Sequence, residues 1–482
     1  MAGASRKKRR KSRHRVPSVA SDFANAELGD PRLTRRLVSI AEACSAAPDR
    51  SFPDIAESKS ELEGLYRFTG NGRVDPQDVL DAHSRETAAR CREVRTLLVA
   101  HDTTECVFGG EVEREGLGPL GVKSRGFLFH ASLAVEFDGT FARPLGVVHA
   151  IPWVRKPRRQ TSQANRADVV KESARWDAAV RGTRAVLGDK ISPINLMDRE
   201  GDAYPLLAAM VERRDRFVVR AAYDRVVFAD GDRLLLREAI ARAEQQIQVE
   251  VVLSKRGEAR PTHQLEKFPA RDRRTALLVF AARQLTLSRP TNIPVGKGLP
   301  REVTVNVVHA WEPNPPDDCE PVEWLLFTSE PIDTKDAIHT VVKYYRARWV
   351  IEEFFKALKT GCAYESRQLT TYHALLVALM IFLPIACRLL FLRTLARTHP
   401  DEPAKLALSD AEIAVLRVFS KRVRLPRTPT IAEAVAAIAG LGGHLKNNGP
   451  PGWITLARGM EKLLNFTAAW EAATQAAAVV DA

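Results

Sequence analysis

The sequence predicts an α/β core with helical segments on either side, and three observations carry that reading. Two short apolar strands each deliver an aspartate: TLLVA at 96–100 runs into Asp102 in HDTT, and ISPINLM at 191–197 runs into Asp198 in DREGD. A helical stretch around 168–187 lies between them, which is the pattern of strands joined by a crossover. Beyond them, β-patterned segments lead back to a stretch at 345–361, YRARWVIEEFFKALKTG, that no Gly or Pro interrupts before Gly361. Acids at the ends of successive strands place a polar site at one edge of such a sheet.

Taken in order, the chain opens on a basic arm. Eight of its 72 Lys and Arg residues fall between Arg6 and Arg15, so most of the net charge of +13 resides there. The arm suits non-specific phosphate contact and equally suits a solubilising or localisation-like tail. Residues 28–46 then read as a helix: Asp30 is an N-cap, Pro31 takes the first helical position, and Arg32, Arg35 and Arg36 share one face opposite Leu33, Leu37 and Ile40. Further helices are expected at 58–68 and 76–91. Together they make a small module over 21–92 whose arginine face suits duplex DNA, although ordinary surface arginines give the same pattern.

Strands are expected at 96–100, 127–137, 144–150 and 191–197, with a basic loop at 154–159. Alternating or β-branched runs follow at 246–253, 275–282, 302–311 and 322–328. They predict an inserted β subdomain over about 222–320 within a catalytic unit spanning 93–394. The run at 374–392 is apolar but holds Pro384 and Arg388, and reads as a buried helix rather than a membrane span. From 395 to 482 the chain is Ala-rich and helical, the last helix starting at Trp453; docking, self-association and simple capping all fit that pattern. The six cysteines show no CxxC spacing, so neither a zinc site nor a disulfide framework is expected, and the reading places the chain in a reducing cytosol. Residues 16–30 lack the apolar core of a secretory signal.

The chemistry is expected on the helix at 345–361. At ~100° per residue, Arg348, Glu352 and Lys359 lie roughly −60°, −20° and −40° from Tyr345, whereas Glu353 lies near +80°. A phenol, a guanidinium, a carboxylate and an ammonium therefore share one stripe. Such charges also make an ordinary solvated face with i,i+3 and i,i+4 pairs. Asp102 and Asp198 alter the balance: three acids suit hard divalent cations, Mg²⁺ or Mn²⁺, expected as a pair of ions ~3.5–4 Å apart, with Arg and Lys holding the phosphate.

The stretch 345–361 matches the Tyr-x2-Arg-x3-Glu-x6-Lys signature, and the chain resembles the insertion-sequence-four family of bacterial cut-and-paste transposases, of the Tn-five type. LGDPR, GLYRF, HDTT, LGVKSRG, KESARW, DREGD, EWLLFTSEP and a late GW recur in the family's order over most of the length. The resemblance implies a ribonuclease-H-like catalytic core in which Asp102, Asp198 and Glu352 bind the metal. It implies an N-terminal domain that binds terminal inverted repeats, a β insertion, and a C-terminal dimerisation region at 395–482. Tyr345, Arg348 and Lys359 would hold the terminal phosphate, and Trp324 would stack on a base flipped out during hairpin formation. The partners expected are double-stranded DNA and a second copy of the chain, in the bacterial cytoplasm and with no membrane. The basic arm has no counterpart in the family pattern. Two rivals are a catalytically silent DNA-binding relative that inhibits transposition and a ribonuclease-H-like nuclease without strand transfer.

Overall fold

A computed structural model describes residues 19–109, 114–121, 124–156, 172–243, 246–253, 272–291, 293, 298–317, 319, 321–420, 423–445 and 449–480. The basic arm 6–15, residues 122–123 of LGVKSRG, 157–159 of the basic loop and 168–171 of the expected crossover helix lie outside the described residues. Five helices come first: α1 (Val19–Phe23), α2 (Pro31–Ala46), α3 (Phe52–Ile55), α4 (Lys59–Thr69) and α5 (Pro76–Cys91). Cap chemistry sets three of their starts. The side chains of Asp30, Ser58 and Asp75 accept from the backbone N–H groups of Arg32, Glu61 and Gln77, and proline opens α2 and α5. On α2 the guanidinium-bearing residues Arg32, Arg35 and Arg36 are exposed while Leu37, Ile40 and Ala41 are buried.

The sheet begins with β1 (Leu97–Val107), β2 (Gly118–Pro119), β3 (Arg125–Phe137) and β4 (Ala142–Trp153). Helix α6 (Arg175–Leu187) crosses to β5 (Ile194–Met197), and α7 (Tyr204–Arg213) crosses to β6 (Arg216–Arg220). These two crossovers make β1, β5 and β6 parallel, whereas β3 and β4 join as antiparallel meanders. Next come β7 (Val226–Ala229), β8 (Asp232–Leu235), α8 (Leu236–Ala241), β9 (Gln246–Leu253), β10 (Arg274–Ser288), β11 (Glu302–Trp311) and β12 (Glu323–Thr328). The described strands form one sheet in the order β2-β3-β1-β5-β6-β12-β11-β10-β7-β8, with β4 on β3 and β9 on β10.

Three features differ from the sequence reading. The strands between 222 and 320, expected as an inserted β subdomain, share one sheet with the core, because β12 pairs with β6 on one edge and β11 on the other and so carries the core sheet onward. The free edge of β6 and the buried Val218, Val219, Leu326 and Phe327 account for the join. Second, β1 runs past Ala100 to Val107, since β3 pairs along its whole length while β5 covers only Leu98–Ala100; Asp102 is thus mid-strand, not at a strand end.

Third, residues 345–361 are not one regular helix. Helix α9 (Lys335–Ala347) is followed by a tighter turn in which the N–H of Arg348 bonds to Tyr345 O at 3.1 Å and that of Trp349 to Arg346 O at 3.3 Å. Helix α10 (Val350–Lys356) then widens into a π turn at Ala357–Gly361. Gly361 is no left-handed cap: the positive φ falls on Ala363, at 45°, and a Cβ on Gly361 would lie 3.1 Å from Leu389.

Helix α11 (Tyr372–Thr398) is apolar all round because it is enclosed, with 89% of its most apolar window buried. Helices α12 (Asp410–Phe419), α13 (Ile431–Leu441) and α14 (Trp453–Val480) close the chain. The main core joins α2 and α5, one face of the sheet, α10, α11 and α14; a second core lies beneath α7 and α8.

Candidate active site

The register of β1 and β5 determines where two of the acids lie. Ala100 pairs with Leu196, and Asp102 and Asp198 each follow two residues later, so they sit level on neighbouring parallel strands and on one face. Asp198 ends β5 by capping the short helical turn Arg199–Gly201, its Oδ1 accepting from Glu200 N at 2.9 Å. Asp102 Oδ1 accepts from the N–H of Thr103 at 2.7 Å.

Arg348, only 9% exposed, stands between Asp102 and Glu352. Its Nη1 donates to Asp102 Oδ2 at 3.1 Å and its Nη2 to Glu352 Oε1 at 2.8 Å. One guanidinium does not compensate the acids. Burial, with the charges of Asp198 and Glu352 added, pushes the Asp102 carboxyl up to about 7 despite Arg348. Burial also raises Glu352, again aided by Asp198. For Arg348, burial opposes the charged form, yet Tyr345, Asp102, Glu352 and Asp198 outweigh it and hold the guanidinium above its usual value.

Among the described residues no three His, Cys, Asp or Glu side chains are gathered closely enough to hold an ion, because the Arg348 guanidinium occupies the gap between two of the acids. The donor set is nonetheless that of a hard-cation site: carboxylate oxygens alone, partly buried, and short of positive charge.

The expected stripe is brought together only in part. Tyr345 is buried, with Arg348 Cζ 5.9 Å from its ring centre and the half-buried Trp324 5.9 Å away on another side. Lys359 turns elsewhere: its Nζ bonds to Glu105 O on β1 and lies 3.2 Å from Glu365 Oε1. Lys359 lies within the π turn at Ala357–Gly361. Glu353 faces away from Arg348, toward Arg393 and Arg397 at 3.8 and 3.6 Å. Arg32, Arg35 and Arg36 stay on the N-terminal module, outside the Asp102–Arg348–Glu352 contacts.

Sequence reasoning missed Arg175. Its Nε donates to Thr103 Oγ1 at 3.0 Å, it pairs with Glu200, and its guanidinium lies 5.4 Å from the rings of both Trp153 and Trp176. It therefore ties the residue after Asp102 to the turn after Asp198. KESARW was the available signal, but no periodicity marks an arginine that reaches across strands. Beneath it, His101 bonds to Ser132 and Asn195, each at 2.9 Å, and so locks β1 to both neighbours. Burial lowers the His101 pKa to about 4, so it acts as a neutral strut.

Comparison with protein families finds a Transposase DNA-binding model over residues 18–74 and a Transposase DDE domain model over 198–387. The two matches support a DDE transposase. The first spans α2 with Arg32, Arg35 and Arg36, and the second spans Asp198, Trp324, Arg348 and Glu352. The mixed sheet with crossover helices is consistent with the ribonuclease-H-like domain of a DDE transposase. Asp102 lies outside both matched segments; geometry alone puts it with the other acids.

Proposed function

We propose that this DDE transposase is a cut-and-paste enzyme of the insertion-sequence-four type, with Asp102, Asp198 and Glu352 as its catalytic acids. The observation that carries the reading is the level placement of Asp102 and Asp198 on adjacent strands, with Glu352 joined to Asp102 through one guanidinium. Those three side chains would hold Mg²⁺ or Mn²⁺, as two ions. When bound, the cation supplies Lewis-acid polarisation of the phosphodiester and a more acidic water. Arg348 donates to Asp102 and Glu352 in this structure; with cations taking the charge of the acids, its planar guanidinium would turn those donors to a phosphate, and Tyr345 packs beside it. Lys359 adds positive charge beside β1, and Trp324 offers an indole face for an extruded base. Water nicks the element end, the freed 3′-hydroxyl attacks the opposite strand to form a hairpin, the hairpin reopens, and the 3′ ends join target DNA.

On this reading residues 21–92 bind the terminal inverted repeats through Arg32, Arg35 and Arg36, residues 93–394 form the catalytic unit, and 395–482 pair two copies on DNA. The enzyme works on bacterial DNA in the cytoplasm. The test is incubation with a linear fragment bearing the element's own ends and Mg²⁺ or Mn²⁺. Excised ends and hairpins are expected. Nicks without hairpins would mean a nuclease, and binding without cleavage a silent relative.

A further inference from the structure

Helix α10 has a second charged side. Glu352 and Glu353 are consecutive, so they project about 100° apart, and Glu353 faces a cleft of about 300 Å³ lined also by Lys343, Arg346, Trp349, Arg393 and Arg397. Four cations there face one carboxylate. Glu353 is already engaged by Lys356 at 3.0 Å, and Arg393 is committed to the fold, its guanidinium carbon 4.1 Å from the ring of Trp453. Lys343 and Arg346 have no carboxylate within ion-pair distance among the described residues, and Arg346 and half of Arg397 are exposed. The positive charge therefore exceeds what the fold consumes. Charge left over in a concave site with an exposed aromatic wall, Trp349, calls for an anion.

We propose that this cleft, on the other side of α10 from Asp102, binds a second backbone phosphate of DNA, apart from the one at the three acids. The inference rests on the reading of the chain as a DNA transposase. Three cations from two helices, α9 and α11, converge on one opening, which suits a phosphodiester crossing between those helices. The site reads no base, so it adds affinity equally on any sequence.

The test uses the full chain with Arg346→Gln and Arg397→Gln combined, neither residue having a role at the three acids. Thermal unfolding checks that the variant folds. Binding to a duplex with the element end and to an unrelated duplex is measured against salt. Loss of one phosphate contact is expected to make the slope of log K against log salt shallower by about one and to weaken both duplexes by about five- to tenfold at low salt. Salt plots that coincide with those of the parent overturn the proposal. Inorganic phosphate is titrated as a separate arm. If it stabilises the parent more than the variant while the DNA plots coincide, the cleft holds free phosphate and the proposal falls. Failure of the parent to bind any duplex would instead overturn the transposase reading.

Discussion

Arg348 donates to two of the acids at once, and its removal leaves Asp102 and Glu352 facing each other with no counter-charge. Partly buried carboxylates left without their donor destabilise, so Arg348→Ala is expected to lower unfolding free energy by about 1–3 kcal/mol in urea titration. Mg²⁺ should restore most of that loss and should do little for Asp102→Asn. No recovery would mean that the acids do not share an ion. Asp22 offers a pH test away from the site. It is buried, accepts from Arg90 at 2.7 Å and meets His83 Nδ1 at 3.1 Å; the N–H of Val147 donates to His83 Nε2, so Nδ1 carries the proton and donates. Burial alone would raise its pKa, but His83 and Arg90 together hold it below the ordinary 3.8. A depressed acid stabilises above its unfolded value and loses that contribution as pH falls through its folded value. The stability gap between the parent and Asp22→Asn should therefore be full at neutral pH and shrink below about pH 4. A gap independent of pH would contradict the pairing. Helical rotation alone separates Glu352 from Glu353 in the sequence, because one residue is 100° whatever the neighbours do. The sharing of Arg348 was not legible, since it depends on how β1 meets α9.

At the scale of elements, the N-terminal helices dock on β4 through a bulge. The register of β3 against β4 shifts near Ala134, and Gly146 there has φ of 148°. A Cβ on it would lie 2.2 Å from Thr87 Oγ1 on α5. Gly146→Ala is thus expected to cost about 1–3 kcal/mol in urea unfolding; an unchanged midpoint would mean that α5 does not sit on the bulge. The cap Asp30 and Pro31 made the start of α2 readable, because those signals are local. The shortened turn at Arg348 and the π turn before Gly361 were not, because no local residue demands them: Leu389 of α11 crowds Gly361, and that helix follows later in the chain. Lys359 was misdirected for the same reason.

For the whole molecule, sheet continuity is what brings distant acids together. β5 lies between β1 and β6, and β12 continues from β6, so α9 follows directly from a strand of the same sheet and delivers Arg348 to Asp102. Alternating patterns gave the strands at 246–328 but not their partners, since pairing is decided by buried faces rather than by period. Glu352, not its neighbour, is proposed to complete the acid set. Single-turnover cleavage of an end-bearing duplex with Mg²⁺ by Glu352→Gln and Glu353→Gln tests this. Glu352→Gln is expected to lose at least about 10³-fold in rate with end binding intact, and Glu353→Gln to remain within about tenfold of the parent. A fast Glu352→Gln beside an inactive Glu353→Gln would contradict it.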